Sequence, residues 1–173
     1  RFRRALSHAI DRDLVNRVLY FGLAFPSNNA VLPDSPLFEE RFRDEGIAFD
    51  IDEANRLLDE MGLTERDRNG IRKLPDGRPM EIIVETAGEN PIEIDALELV
   101  RDTWKEAGIA LYPRPSQRDV LRNRAFSGEL VMSVWSGFDN GIPTAPMPPD
   151  ERVPLSTVYL SGPAWGAFAM SNG

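Results

Sequence analysis

The chain reads as an α/β fold, a mixed sheet flanked by helices, and three observations predict it. From residue 80 onward the segments alternate as strand, helix, strand, helix, strand, the order produced when strands of one layer are joined by helical crossovers. The helical runs repeat their apolar residues at a spacing of three and four and stop at Gly22, Gly62, Gly108 and Gly128. With 173 residues, 42% of them hydrophobic and 28% charged, the chain is long enough to bury one real core and too apolar to be disordered.

Taken in order, the first element is a helix over residues 2–21. Leu6, Ile10, Leu14, Val18 and Phe21 form its apolar stripe and Gly22 stops it. "LAFPSNNAVLPDSPLFEE" follows as an extended loop with prolines at 26, 33 and 36. "DIDEANRLLDEMG" predicts a second helix: Asp50 caps it, Glu53 completes a capping-box spacing, Ala54, Leu57, Leu58 and Met61 face inward, and Gly62 ends it. A polar loop through "LPDGRP" leads to the strand "MEIIVET".

Asn90-Pro91 then opens a helix whose inner side is Ile94, Leu97, Val100, Trp104 and Ala107, closed by Gly108. Trp104 reads as plain core. "IALYPRP" is the next strand, Ser116 with Asp119 caps the helix "QRDVLRNRAFS", and "ELVMSVW" is a strand that delivers Trp135. In such layers ligands sit beyond the carboxyl ends of the strands, where the loops gather. Six of the 14 prolines fall between Pro143 and Pro163, so residues 136–173 read as an irregular but stiff segment on the cleft side.

Charge and residue usage exclude several classes. A net charge of −8 argues against a general binder of nucleic acid or anionic membrane, because phosphate neutralisation needs a basic face. No cysteine is present, so disulfide frameworks and thiolate metal sites are out. His8, the sole histidine, lies among the apolar positions of the first helix with no second imidazole to share a metal and no nucleophile to serve. The sequence calls for no cofactor and marks no catalytic residue; its 28 Asp and Glu leave a glycosidase-type carboxylate pair open, with nothing positive to support one. No apolar run approaches the ~20 residues of a membrane span. Residue 1 is Arg, and "RFRRALSHAI" reads as helix interior, so a piece of a longer protein is expected.

Five stretches in order carry a resemblance: "RFRRALSHAIDRDLVNRVLYFGLAFPSNNAVLPDSP", "DIDEANRLLDEMG", "LPDGRPMEIIVET", "ALELVRDTWKEAGIAL" and the strand ending in Trp135. Together they resemble the C-terminal lobe of family 5 extracellular solute-binding proteins, the receptors of ABC importers. The resemblance implies a class II periplasmic-binding-protein lobe, with residues 1–173 forming part of the C-terminal lobe of a two-lobe receptor. It further implies a monomer that captures a small solute, peptide-like or an oligosaccharide or opine-type compound, and passes it to an ABC permease in the membrane. The location implied is the periplasm, or a lipid anchor on the outer face of the cytoplasmic membrane. An enzymatic or ligand-sensing domain on the same fold is the reading from another class.

In peptide-binding relatives a strand-end Trp is followed within a few residues by an Asp that holds the peptide's ammonium. Trp135 and Asp139 resemble this pair, with Phe138 lengthening the interval by one and Ile142-Pro143 standing where an Asp-Pro is usual. The ligand-binding residues implied are therefore Trp135, Phe138, Asp139, Asn140 and Trp165. From the residues alone, Trp135 is either core or cleft, Asp139 begins a turn through Asn140-Gly141 or meets a ligand, and Trp165 is a cleft wall or a hydrophobic anchor.

Overall fold

The computed structural model describes residues 1–28, 30–135 and 162–171. The N-terminal apolar stripe does not make one helix. It forms α1 (Phe2–His8) and α2 (Arg12–Leu19), because the Asp11 carboxylate accepts from the Leu14 amide at 2.8 Å and starts a new helix. The guanidinium of Arg12 fixes the break by donating to the Ser7 carbonyl at 2.9 Å and the Ile47 carbonyl at 3.1 Å. As a result Leu6 is buried while Val18 and Phe21 are exposed, and Phe21 takes a left-handed φ of 55°.

A short helix, α3 (Glu40–Asp44), interrupts the long connection after α2. In α4 (Ile51–Asp59) the Asp50 carboxylate accepts from Glu53 N at 2.8 Å, as the spacing requires. The capping box is not reciprocal: Asp50 N donates to the His8 carbonyl at 2.9 Å, and Glu53 is drawn to Arg56. Ala54, Leu57 and Leu58 are buried as expected, but Met61 lies past the helix end and is exposed.

Strands β1 (Glu81–Thr86) and β2 (Ala110–Pro115) pair in parallel, from Glu81 opposite Ala110 to Thr86 opposite Pro115. The crossover is α5 (Pro91–Glu106), capped by the Asn90 side chain on the Ile92 amide. The described sheet is thus parallel rather than mixed, its antiparallel pairings limited to the isolated bridges Arg66 to Arg72 and Lys73 to Pro79. The strand expected at "ELVMSVW" contracts to one parallel bridge, Glu85 with Ser133. Helix α6 (Arg118–Phe126) has Gln117 at its N-cap without a side-chain bond; Ser116, expected there, instead closes onto β1, its amide donating to the Thr86 carbonyl at 3.0 Å. Within the segment read as irregular, left-handed Gly162 followed by Pro163 starts a further helix, α7 (Pro163–Met170).

The core joins α1, α4, the buried side of α5 and the inward faces of both strands. Trp104 sits in it, its indole N–H donating to the Leu6 carbonyl at 3.2 Å, so this tryptophan is core as read. Arg72 is the unexpected core member: it is 1% exposed, and its guanidinium is shared among Ala107 O, Asn55 Oδ1, Asp59 and Leu63 O. Every buried donor of that fork has a partner, the condition under which a buried cation is tolerated. No helix among the described residues is long and apolar enough to cross a membrane.

Candidate functional site

Parallel pairing brings the carboxyl ends of three segments to one edge. β1 is central, with β2 on one side and residues 132–134 on the other; Glu85 N donates to Met132 O at 3.0 Å and Val134 N to Glu85 O at 2.9 Å. The chain therefore leaves the sheet at Thr86, Pro115 and Trp135 side by side, the edge where ligand sites of α/β layers are built.

The loops at this edge are drawn tightly together. The Gly88 amide donates to Thr86 Oγ1 at 3.1 Å, and with Gly88 at a left-handed φ of 67°, a Cβ there would lie 3.1 Å from the Ser116 carbonyl oxygen. Glu89 and Arg118, one from each loop, meet across this contact, Arg118 Nε lying 2.9 and 3.1 Å from the two carboxylate oxygens. The guanidinium of Arg118 lies over the half-buried indole of Trp135, 5.2 Å from the ring centroid, within cation–π range. Hydrogen bonding to Arg118 holds the Glu89 carboxyl below its ordinary pKa, and Glu89 in turn holds Arg118 above its own.

Behind this rim the structure contains a groove of about 470 Å³. Its walls are α2 and the stretch after it (Val15, Tyr20, Phe25), the first half of α5 (Ile92, Ala96, Leu97), and the sheet side (Val84, Leu111, Met132, Val134). The volume is within the range of small-molecule sites, and the lining is largely apolar. Phe25 at the mouth is 91% exposed. Among the described residues, two charged side chains line the groove. Arg12 is tied to α1 and to Ile47, and burial lowers its pKa. Glu93 is half-buried in the first turn of α5, its pKa raised by burial and then by the nearby charge of Glu89.

Of the residues singled out in the sequence, Trp135 follows directly on the short bridged segment 132–134 that stands in place of the expected strand, with a cation on one face. Phe138, Asp139 and Asn140 lie outside the described residues. Trp165 is in α7, which packs on α6, and is 69% exposed. His8 is structural: its Nδ1 is 2.9 Å from the Ala48 carbonyl oxygen. Glu89, Arg118 and Glu93 were missed in the sequence, although Glu89 and Arg118 lie three residues past the carboxyl ends of β1 and β2 and Glu93 is in the first turn of the helix that follows β1, where the loop rule would have directed attention. Among the described residues no three His, Asp or Glu side chains converge as a metal site would need.

Known proteins share this fold. The profile of the bacterial extracellular solute-binding proteins, family 5 (middle portion), matches residues 1–150. The dipeptide-binding protein of Escherichia coli K12 is 26% identical over 143 residues, 82% of this chain and 24% of that protein. Among solved structures, an oligopeptide-binding protein, OppA, superposes with a TM-score of 0.76 and 32% identity over 89% of this chain and 23% of its own. NikA from Brucella suis, solved in complex with Fe(III)-EDTA, superposes with a TM-score of 0.70 and 24% identity over 99% of this chain and 33% of its own. The chain thus spans about a quarter to a third of the length of these relatives.

Proposed function

The chain belongs to the family 5 extracellular solute-binding proteins, and from that premise we propose that it is the solute-contacting part of one lobe of an ABC importer's receptor, capturing a peptide-like ligand. The observation that carries this reading is an apolar groove of ligand size beside the carboxyl edge of the sheet, where Glu89, Arg118 and Trp135 meet. One part of the site buries apolar solute surface, and the other presents oriented charges, the division of labour found in small-molecule pockets.

The mechanism is binding without chemistry. Two lobes close about a hinge, and a solute that touches both favours the closed form by the difference in its affinity for the two states. The closed receptor, monomeric and located in the periplasm or held outside the membrane by a lipid, delivers its cargo to the permease. Trp135 forms the wall at the sheet's edge, Asp139 pairs with the solute ammonium, Phe138 and Asn140 are further ligand contacts, and Trp165 adds an aromatic face. An oligosaccharide is the second reading, favoured by the exposed indole of Trp165, because sugars stack on flat aromatic faces.

Calorimetry on the full-length receptor separates the two readings. For a peptide ligand, Asp139→Asn should weaken binding by about 2 kcal/mol or more, since it strands an enclosed ammonium. Peptide binding undiminished by Asp139→Asn would end the ammonium assignment, and oligosaccharide binding that collapses in Trp165→Ala would replace the peptide reading with the second.

A further inference from the structure

Among the described residues that line the groove, Glu93 is the charged side chain with no hydrogen-bond or ion-pair partner. Arg12, the other charge in the lining, has its guanidinium turned to Ser7 and Ile47. The lining of the groove is largely apolar, and Glu89, four residues back, adds like charge rather than relief. A carboxylate in such a place lacks a cation that brings its own apolar surface.

We propose that the groove between α2 and α5 is a subsite for a basic aliphatic group of the solute, an alkylammonium or alkylguanidinium, with Glu93 as its counter-charge. The stem of such a group lies along Val15, Leu97 and Val134, and its head reaches Glu93. A volume near 470 Å³ accommodates a lysine-sized side chain with room to spare. The groove lies beside the rim: Asn90 and Glu93 line it, and Glu89, which pairs with Arg118 at the rim, is near enough to Glu93 for their charges to interact. A solute seated at Trp135 therefore has this groove open to a neighbouring side chain. The raised pKa of Glu93 fits the arrangement: an arriving cation restores the stability that burial removes from the ionised form.

This inference rests on the capture of peptide-like solutes, and the test separates the two. Full-length receptor is titrated by calorimetry at pH 7 with Ala-Lys-Ala, Ala-norleucine-Ala and Ala-Glu-Ala, using wild type and Glu93→Gln. The lysine peptide is expected to bind at least about ten-fold tighter than the norleucine peptide, and Glu93→Gln to abolish that margin while leaving the norleucine affinity within about three-fold. Equal affinities in wild type, or a lysine preference that survives Glu93→Gln, overturn the subsite and leave peptide capture standing. If Glu93→Gln instead lowers the melting temperature of the unliganded receptor and weakens all three peptides alike, a basic residue of the protein itself covers Glu93, and the subsite falls. If none of the three peptides binds, the peptide reading falls and takes the subsite with it.

Discussion

Replacing Gly108 by alanine is expected to destabilise the fold by about 2–4 kcal/mol, whereas the same change at Gly62 costs about 1 kcal/mol. Both glycines follow a helix and both have left-handed backbones, with φ of 83° and 81°. They share the cost of holding an L-residue there, on the order of 1 kcal/mol. They differ in what a new Cβ meets. At Gly62 nothing lies within 4 Å, while at Gly108 it would lie 2.8 Å from Arg72 Cγ and 2.9 Å from Arg66 Nη1. The tip of Arg66 can swing away. Arg72 cannot, because its guanidinium is held by Ala107 O, Asn55 and Asp59 in the core, so any shift of its stem disturbs several bonds together. Overpacking of that kind costs about 1–3 kcal/mol, which added to the backbone term gives the stated range. Urea denaturation of the 173-residue chain, followed by far-ultraviolet circular dichroism, measures both variants. In an Arg72→Ala background, the Gly108→Ala penalty should fall to that of Gly62→Ala, the signature of coupled neighbours. Equal losses for the two glycine variants in the wild-type background would refute the claim that Arg72 is immovable.

Glu85→Gln should lower the melting temperature by several degrees, from a loss of about 1–3 kcal/mol, since Glu85 is 3% exposed and its carboxylate is bonded by Arg124 and approached by Arg114; a thermal scan that matches wild type would show the contact to be idle. The Arg118 to Glu89 pair should depend on pH in a defined direction. Glu89 has a folded-state pKa below its unfolded value, so the pair's contribution is present above the ordinary carboxylate pKa and is lost as pH falls through the lowered one. Carboxyl carbon NMR titration reads this directly, and a Glu89 that titrates at or above the ordinary value would contradict the observed geometry. For Glu93 the sign is opposite: its raised folded pKa favours the protonated fold, a contribution present below the unfolded pKa and lost as pH rises through the folded one. Glu93→Gln should therefore raise the melting temperature of the chain at pH 7, and a decrease would place a cationic partner on the carboxylate.

The parts of the fold legible in the sequence were those governed by local chemistry. Asp50 and Asn90 announce their helices because a side-chain oxygen two or three residues before an amide satisfies it without help from elsewhere. Trp104 was legible because helical spacing put it among aliphatics. What was missed depends on distant partners. The break between α1 and α2 joins a local cap, Asp11 on the Leu14 amide, to a distant tie, Arg12 on the Ile47 carbonyl, and Met61 is outside because the helix has already ended. The stripe from Leu6 to Phe21 keeps helical spacing across the break, so periodicity could not reveal it. Arg72 looked like one polar residue in a polar loop; its burial is set by carbonyls at residues 63 and 107, which no local pattern reports. In the site, Trp135 was legible from its place at a strand end, whereas Glu93 looked like one more acid on an acidic helix until the groove beside it gave that position meaning.

Glu85 is where scaffold and site become one problem. Its amide and carbonyl pair with Met132 and Val134, which sets the height at which Trp135 leaves the sheet. Its carboxylate binds Arg124, further along α6 from Arg118, and so fixes the helix that holds a cation over that same indole. Both members of the stack are positioned from one residue in the central strand, one through the backbone and the other through a buried charge. A site built on strand ends needs such a common reference, because its loops have too few contacts to hold an angle by themselves. The cost is an acidic side chain within a sheet that would otherwise take a valine. That cost is offset by two arginines, Arg124 and Arg114.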